Sequence, residues 1–145
     1  MKFYVALSCA MSLLLFACSK KDTVVPNGNP PIADTTTKDT TKSLLLSGVL
    51  IPNPFESANG KVKVYKTGTV YSLVLEDFSS VNGPDLHVYL AQEATPVHFI
   101  DLGKLKSYSA NQTYSINGAP DFSKYKFATI HCQQYDVVFG HTPLQ

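Results

Sequence analysis

A two-residue alternation of apolar and polar side chains is the feature that most constrains the fold of this chain. Lys61–Val64 alternates strictly, Leu86–Leu90 repeats the pattern, and Tyr71–Leu75 places its large apolar side chains on one face. Successive side chains of a β-strand point to opposite faces, so this period predicts strands with a buried face. The only helix-like stretches are short, at 91–94 and 122–125.

Turn-forming residues divide residues 44–145 into short segments. Thr67-Gly68, Asn82-Gly83-Pro84 and Asn117-Gly118 favour chain reversals because they contain glycine, asparagine or proline. The expected strands are 45–51, 61–64, 71–75, 86–90, 99–102, 114–116, 127–132 and 136–139. Short strands between regular turns predict an all-β fold, an antiparallel β-sandwich or small barrel of about 7–9 short strands.

The apolar side of the alternation also predicts the core. The expected inward residues are Val62, Val64, Tyr71, Leu73, Leu75, Leu86, Val88, Leu90, Tyr114, Ile116, Ala128, Ile130 and Cys132. Residues 44–145 are enough to form one hydrophobic core.

The first residues have the organisation of an export signal. Lys2 supplies a positive charge, and Phe3–Phe16 is an apolar stretch too short to cross a bilayer, which takes about 20 residues. The stretch ends in Leu15-Phe16-Ala17-Cys18, which resembles the lipobox of bacterial lipoproteins. The resemblance implies cleavage before Cys18 and acylation of Cys18. An ordinary secretory signal cleaved near Ala17, or a short membrane anchor, is the alternative.

The segment that follows is expected to be a flexible linker. Residues 18–43 are rich in proline, threonine, asparagine and lysine, and neither a strand nor a helix period persists in them. We therefore expect a signal peptide at 1–17, a lipid-anchored linker at 18–43 and a β-domain at 44–145. The expected location is the bacterial cell envelope, with the lipid anchor as the membrane contact. Ser19 is compatible with sorting to the outer membrane.

Cysteine content and charge further narrow the classes of protein to which this chain can belong. Cys9 leaves with the signal peptide and Cys18 carries lipid, so Cys132 is the only thiol expected in the mature chain and no internal disulfide can form. The chain has 12 basic and 11 acidic residues, and every basic residue is lysine. Without arginine or a strong positive field, it is not expected to bind nucleic acid.

Several short sequence motifs and single residues occur in an order that resembles a known family. They are Leu75-Glu76-Asp77-Phe78, Asn82-Gly83-Pro84-Asp85-Leu86, Val88-Tyr89-Leu90, Asp101-Leu102-Gly103, Leu105-Lys106, Gln112, Tyr114, Asp121, Tyr125, Ile130, Cys132, Phe139-Gly140 and Pro143-Leu144. Together they resemble the DM13 domain, also called the electron-transfer DM13 domain, over residues 44–144. The five-residue motif Asn82–Leu86 is its most specific part.

The resemblance implies an extracytoplasmic β-domain with a redox role at Cys132. That role would use the bare thiol or a bound group such as haem. In the family, the residue before this cysteine is often tryptophan, whereas here it is His131.

The residues alone leave the role of Cys132 open. Alternation places it on the core face with Ala128 and Ile130, where a free cysteine behaves as a small hydrophobic side chain. Its position beside a strand end also allows it to line a pocket as a redox thiol or a ligand. We expect limited exposure and slow thiol chemistry.

Other chemistries receive less support. No Cys-x-x-Cys-His motif is present, which excludes covalent c-type haem, while noncovalent haem at Cys132 stays open. His87, Cys132 and His141 follow the order of a copper site, but the interval between the last two is too long, so no metal site is predicted. The four histidines are expected at the surface. No Gly-x-Ser-x-Gly motif occurs, and an enzymatic activity is not favoured.

Two classes of function therefore remain. The first is a cell-envelope lipoprotein whose DM13-like domain has a redox or electron-transfer role centred on Cys132. The alternative is a non-catalytic tethered module that binds a partner or supports the envelope. Neither the redox partner nor a protein partner is specified by the sequence.

Overall fold

The computed structural model describes residues 41–55 and 57–145. They form nine β-strands and no helix. The strands are β1 (Lys42–Val49), β2 (Ile51–Pro52), β3 (Ala58–Thr67), β4 (Val70–Ser80), β5 (Leu86–Ala91), β6 (Phe99–Lys104), β7 (Gln112–Ile116), β8 (Phe127–Cys132) and β9 (Val137–Pro143). The expected signal peptide, Cys18 and residues 18–40 of the expected linker lie outside the described residues.

The strands form two antiparallel sheets that make a sandwich. One sheet has four strands in the order β1-β3-β4-β7, and the other has five in the order β2-β9-β8-β5-β6. The hairpin between β3 and β4 pairs Thr67 with Val70, and Gly68 in the turn has a φ of 59°. The all-β prediction is confirmed, and of the two expected architectures the structure is the sandwich rather than a closed barrel.

The predicted inward residues meet in one core. Val62, Val64, Leu73 and Leu75 belong to the four-stranded sheet, while β5 and β8 provide the opposing layer. The buried members of that layer are Leu86, Val88, Leu90, Ala128, Ile130 and Cys132. Tyr71 is partly buried against this core. The period of two therefore identified the core face of these strands correctly.

The two helix-like stretches are not helices. Residues 92–95 form a bend, and residues 122–124 form a turn in which the N–H groups of Lys124 and Tyr125 both donate to the carbonyl of Asp121 at 2.9 Å. Each stretch spans about one turn of chain, which is too short to offset the cost of helix nucleation.

Strands β5 and β8 are buried on both faces. Every residue of β5 is buried, as is every residue of β8 after Phe127. These two strands lie next to each other in the interior of the five-stranded sheet, so neither is an edge. Polar residues on their outer face are consequently withdrawn from solvent. The candidate site described below is built around these two strands.

Ala110 offers a direct test of the backbone between β6 and β7. Its φ is 104°, a region that disfavours any residue with a Cβ, and its N–H donates to the carbonyl of Phe78 at 3.2 Å. We expect Ala110→Gly to raise the free energy of unfolding by about 1 kcal/mol, because relief of strain exceeds the added freedom of the unfolded chain. Urea denaturation measures this. Ala119→Gly is the matched control at an exposed residue. An equal decrease in the free energy of unfolding in both variants would contradict the prediction.

Candidate functional site

The two features that carry the family resemblance meet at one end of the five-stranded sheet. Leu86, the last residue of the Asn82–Leu86 motif, pairs with Cys132 across β5 and β8. The N–H of Gln133 donates to the carbonyl of Asp85 at 3.0 Å. The motif and the thiol are therefore parts of one local structure, although they are far apart in sequence.

Close packing explains the glycine of the motif. A Cβ on Gly83 would lie 2.7 Å from Cδ2 of Leu86 and 2.9 Å from Cζ of Phe139, both of which belong to buried side chains. The carbonyl of Gly83 also accepts a hydrogen bond from the hydroxyl of Tyr108 at 2.9 Å. The motif thus closes this end of the core over Leu86 and Phe139.

Cys132 faces the core, as the alternation predicted. Its side chain is 0% exposed, and it belongs to the same buried cluster as Val88 and Ile130. The closed domain therefore holds the thiol away from solvent reagents, which confirms the expectation of limited exposure.

A haem ligated by Cys132 does not fit this arrangement. Such a group needs an apolar slot that opens onto its axial ligand, but core side chains fill the space around Cys132. A cavity of about 280 Å³ lies elsewhere, between β1, β3 and Gln145. Within residues 41–55 and 57–145, no group of three or more His, Cys, Asp or Glu side chains is placed to hold a metal ion.

The proposed order of copper ligands is not a cluster in space. His87 pairs with His131 on the outer face of the sheet, whereas Cys132 lies on the core face of the same strand as His131. His141 pairs with Thr129, further along the outer face. The sheet therefore separates Cys132 from these histidines.

The outer face of β5 and β8 carries a polar and aromatic group that sequence analysis missed, in which three buried side chains are covered by the more exposed Phe99 and Asp101. We call it the Tyr89 cluster, which comprises His87, Tyr89, Phe99, Asp101 and His131. His87 is 8% exposed and His131 is 7% exposed, so the expectation that all histidines lie at the surface is wrong for these two. Side chains of β6 and of the turn after β8 cover this face, as the contacts below show.

Tyr89 is stacked between two rings. Its ring centroid lies 4.1 Å from that of Phe99 at an interplanar angle of 15°, and 5.3 Å from that of His131 at 29°. Nε2 of Gln133 donates to the Tyr89 hydroxyl at 2.7 Å and to Oδ2 of Asp101 at 3.1 Å. Burial raises the pKa of Tyr89 because it disfavours the phenolate. Tyr89 is thus a neutral, tightly packed side chain.

Carboxylates surround His87. Its Nδ1 lies 2.9 Å from Oδ2 of Asp101, and its Nε2 lies 3.4 Å from Oδ1 of Asp85. Nζ of Lys104 is 2.8 Å from the same oxygen of Asp85 and lowers the pKa of that carboxyl, mainly as a hydrogen-bond donor. Asp85 thus links the Asn82–Leu86 motif to β6 and to the Tyr89 cluster through side chains.

Protonation of His131 should make stability depend on pH. Burial lowers its pKa and outweighs the opposite effect of Asp136, whose Oδ1 lies 3.2 Å from Nε2 of His131. Nδ1 of His131 is buried and has no hydrogen-bond partner among the described residues. As pH falls below about 7, the unfolded chain gains a proton on this histidine near its ordinary value of about 6.5, before the folded chain does. We expect the free energy of unfolding to fall over this range.

The comparison of wild type with His131→Phe measures this effect, because phenylalanine keeps a ring against Tyr89 and removes the titration. Urea denaturation between pH 7 and pH 5 should show a shallower decrease in the variant. The exposed His98 provides the control variant, His98→Phe. An unchanged pH slope in His131→Phe would refute the assignment.

Fold and site together define a small antiparallel β-sandwich domain. It has a core thiol at one sheet end and a packed polar and aromatic cluster on the opposite side of that sheet. Residues 53–144 match the family described as Electron transfer DM13. Because the match covers more than half of the chain, the chain belongs to the DM13 family. No curated protein and no solved structure matched the chain.

The family match confirms the resemblance drawn from the sequence motifs. It supports an electron-transfer domain without identifying the group that carries the electron. Among the described residues, no helix is long and apolar enough to cross a membrane.

Proposed function

We propose that this chain is a lipid-anchored protein of the bacterial cell envelope whose DM13 domain takes part in electron transfer. The observation that carries the redox role is the match of residues 53–144 to the electron-transfer DM13 family. The sequence Leu15-Phe16-Ala17-Cys18 supports lipid attachment at Cys18, and Ser19 supports the outer membrane as the destination.

Within this proposal, Cys132 is the redox group. It is the free cysteine of the described residues, and it pairs with the last residue of the Asn82–Leu86 motif. Because its side chain is fully buried, a chemical oxidant can meet the sulfur only when this end of the sheet opens. We therefore propose a slow one-electron oxidation of the Cys132 thiol that is gated by local opening, in which the electron passes to an external one-electron acceptor and the proton to water.

Voltammetry of the full chain tests the redox role, with haem supplied during expression and an absorption spectrum recorded first. We expect a redox signal in wild type that is lost in Cys132→Ala, with the circular dichroism spectrum of the two proteins unchanged. A signal that persists in Cys132→Ala would place the redox group elsewhere. A wild-type chain without any signal would contradict the redox role.

The second candidate is a non-catalytic tethered module that binds a partner or supports the envelope. The observation in its favour is the complete burial of Cys132 in an apolar core, which is the usual position of a structural cysteine. It predicts capture of a partner that Cys132→Ala leaves unchanged, together with the absence of a redox signal in wild type.

Lipid attachment has its own test. We expect wild-type protein to float with membranes and to carry acyl groups by mass spectrometry, because two or more acyl chains anchor a protein stably. Cys18→Ala should stay unacylated, while Cys9→Ala is the control that leaves the attachment site intact. Recovery of wild type as an unmodified protein would contradict the anchor.

A further inference from the structure

Exposed apolar side chains are concentrated in the first strands of the described chain. Phe55 is 93% exposed and Val49 is 66% exposed, and Leu44, Leu45 and Ile51 are also exposed. Scattered exposed apolar residues are ordinary, whereas a concentration of them marks a contact surface. We call this set the β1 edge.

Strand geometry places much of the β1 edge on one side. β1 and β2 are edge strands of the two sheets and the buried Leu50 joins them, so Val49 and Ile51 lie along the same lateral edge of the sandwich although they belong to different sheets. Leu44 pairs with Tyr65 and Val49 pairs with Lys61 on β3. Residues paired in this way share a sheet face, so the apolar side chains adjoin tyrosine and lysine.

Lysines outnumber carboxylates beside this edge. Residues 42–66 contribute four lysines near it, Lys42, Lys61, Lys63 and Lys66. Lys61 pairs with Asp77 at 2.9 Å and Lys63 pairs with Glu76 at 2.7 Å, and a third acidic residue, Glu56, follows Phe55 in the sequence. Lys42 and Lys66 are therefore the lysines of this group without a salt bridge among the described residues. Nζ of Lys42 lies 3.8 Å from the ring centroid of Tyr65. Apolar, tyrosine and lysine side chains together are typical of surfaces that lie at a membrane interface.

A cavity lies on the same side of the domain. It has a volume of about 280 Å³ and is lined by Ser47–Val49, Lys61–Lys63 and Gln145. The backbone of β1 is less suited to strand addition, because the N–H and the carbonyl of Ser47 already pair with Gln145 at 2.9 and 3.0 Å.

We infer that the β1 edge rests on the surface of an anionic membrane, with its apolar side chains at the headgroup boundary and Lys42 and Lys66 on lipid phosphates. The inference rests on the proposed lipid anchor at Cys18. β1 begins at Lys42, so residues 19–41 separate it from Cys18, and a coil of this length spans roughly 25–30 Å on average. A tether that short keeps the edge at high effective concentration beside the bilayer, so a weak contact is enough.

The chain contains no tryptophan, so Phe55→Trp introduces a single fluorescent probe into the edge. The acylated full-length product is reconstituted into vesicles of phosphatidylglycerol and phosphatidylcholine. We expect a blue shift of the emission and loss of emission when the acyl chains are brominated. The matched control is Val97→Trp, at a residue that is 70% exposed and outside the edge, and it should show neither effect. Vesicles without phosphatidylglycerol should give a smaller shift.

The outcomes test the membrane contact of the β1 edge separately from lipid attachment at Cys18. A chain that floats with vesicles but leaves Trp emission at position 55 equal to that at position 97 overturns the inference and leaves the anchor intact. A chain that does not float contradicts the anchor and, with it, the inference. A blue shift without vesicles that grows with protein concentration overturns the inference in favour of self-association.

Discussion

Cys132 in the native domain is expected to react with a disulfide reagent at least about a thousandfold more slowly than in the unfolded chain. The thiol is 0% exposed in the core beside Leu86 and Val137, its partners across the sheet. Reaction therefore requires opening of this sheet end, which costs a substantial part of the free energy of unfolding. Stopped-flow labelling at neutral pH measures the ratio, with Cys9→Ser and Cys18→Ser leaving a single thiol.

A reporter cysteine on the surface calibrates this experiment. In a chain with Cys132→Ala, the exposed Ala119→Cys should label at nearly the same rate in the native and unfolded states. Rapid, stoichiometric labelling of native Cys132 would show that the thiol is open to solvent and would favour a bare redox thiol. Slow labelling combined with a Cys132-dependent voltammetric signal would support redox chemistry gated by opening.

Tyr89→Ala is expected to lower the free energy of unfolding by about 3–5 kcal/mol, the range for removing a large buried aromatic side chain. Its ring packs between Phe99 and His131, so the substitution leaves a cavity and exposes the covered face of β5. Tyr89→Phe keeps the ring and loses only the hydrogen bond from Gln133, with an expected cost of about 1 kcal/mol. Urea denaturation monitored by circular dichroism measures both.

Tyr135→Ala is the control for this series, because Tyr135 is largely exposed and its removal should change stability by less than about 0.5 kcal/mol. If Tyr89→Ala cost no more than Tyr135→Ala, the Tyr89 cluster would not be a packed unit. If Tyr89→Phe cost as much as Tyr89→Ala, the hydroxyl contact rather than ring packing would be the main contribution.

The core face was predictable because it follows from one local rule. Alternation along Leu86–Leu90 identifies Leu86, Val88 and Leu90 as inward whichever strands pair with this one. The same reasoning placed Cys132 inward. By contrast, it assigned His87 to solvent, because alternation distinguishes two faces but does not show whether the second face is covered.

The Tyr89 cluster could not be predicted for a related reason. Its contacts join β5, β6, β8 and the turn after β8, and they depend on the register that pairs His87 with His131 and Tyr89 with Asp101. A strand displaced by one residue would bring different side chains together. The sequence contained a signal in the polar residues His87 and His131 within two interior strands, but it did not show that these strands are neighbours.

Four properties followed from the amino-acid sequence: the all-β fold of residues 44–145, the faces that form the core, the inward position of Cys132 and the presence of the DM13 motifs. These properties depend on local periodicity and on short sequence motifs, so they can be predicted without knowledge of the strand order. Three others required the three-dimensional structure: the packing of the sheets as a sandwich, the contact of Cys132 with the Asn82–Leu86 motif, and the burial of His87 and His131. Those properties depend on long-range pairing, because burial and proximity are set by which strands and turns cover a face.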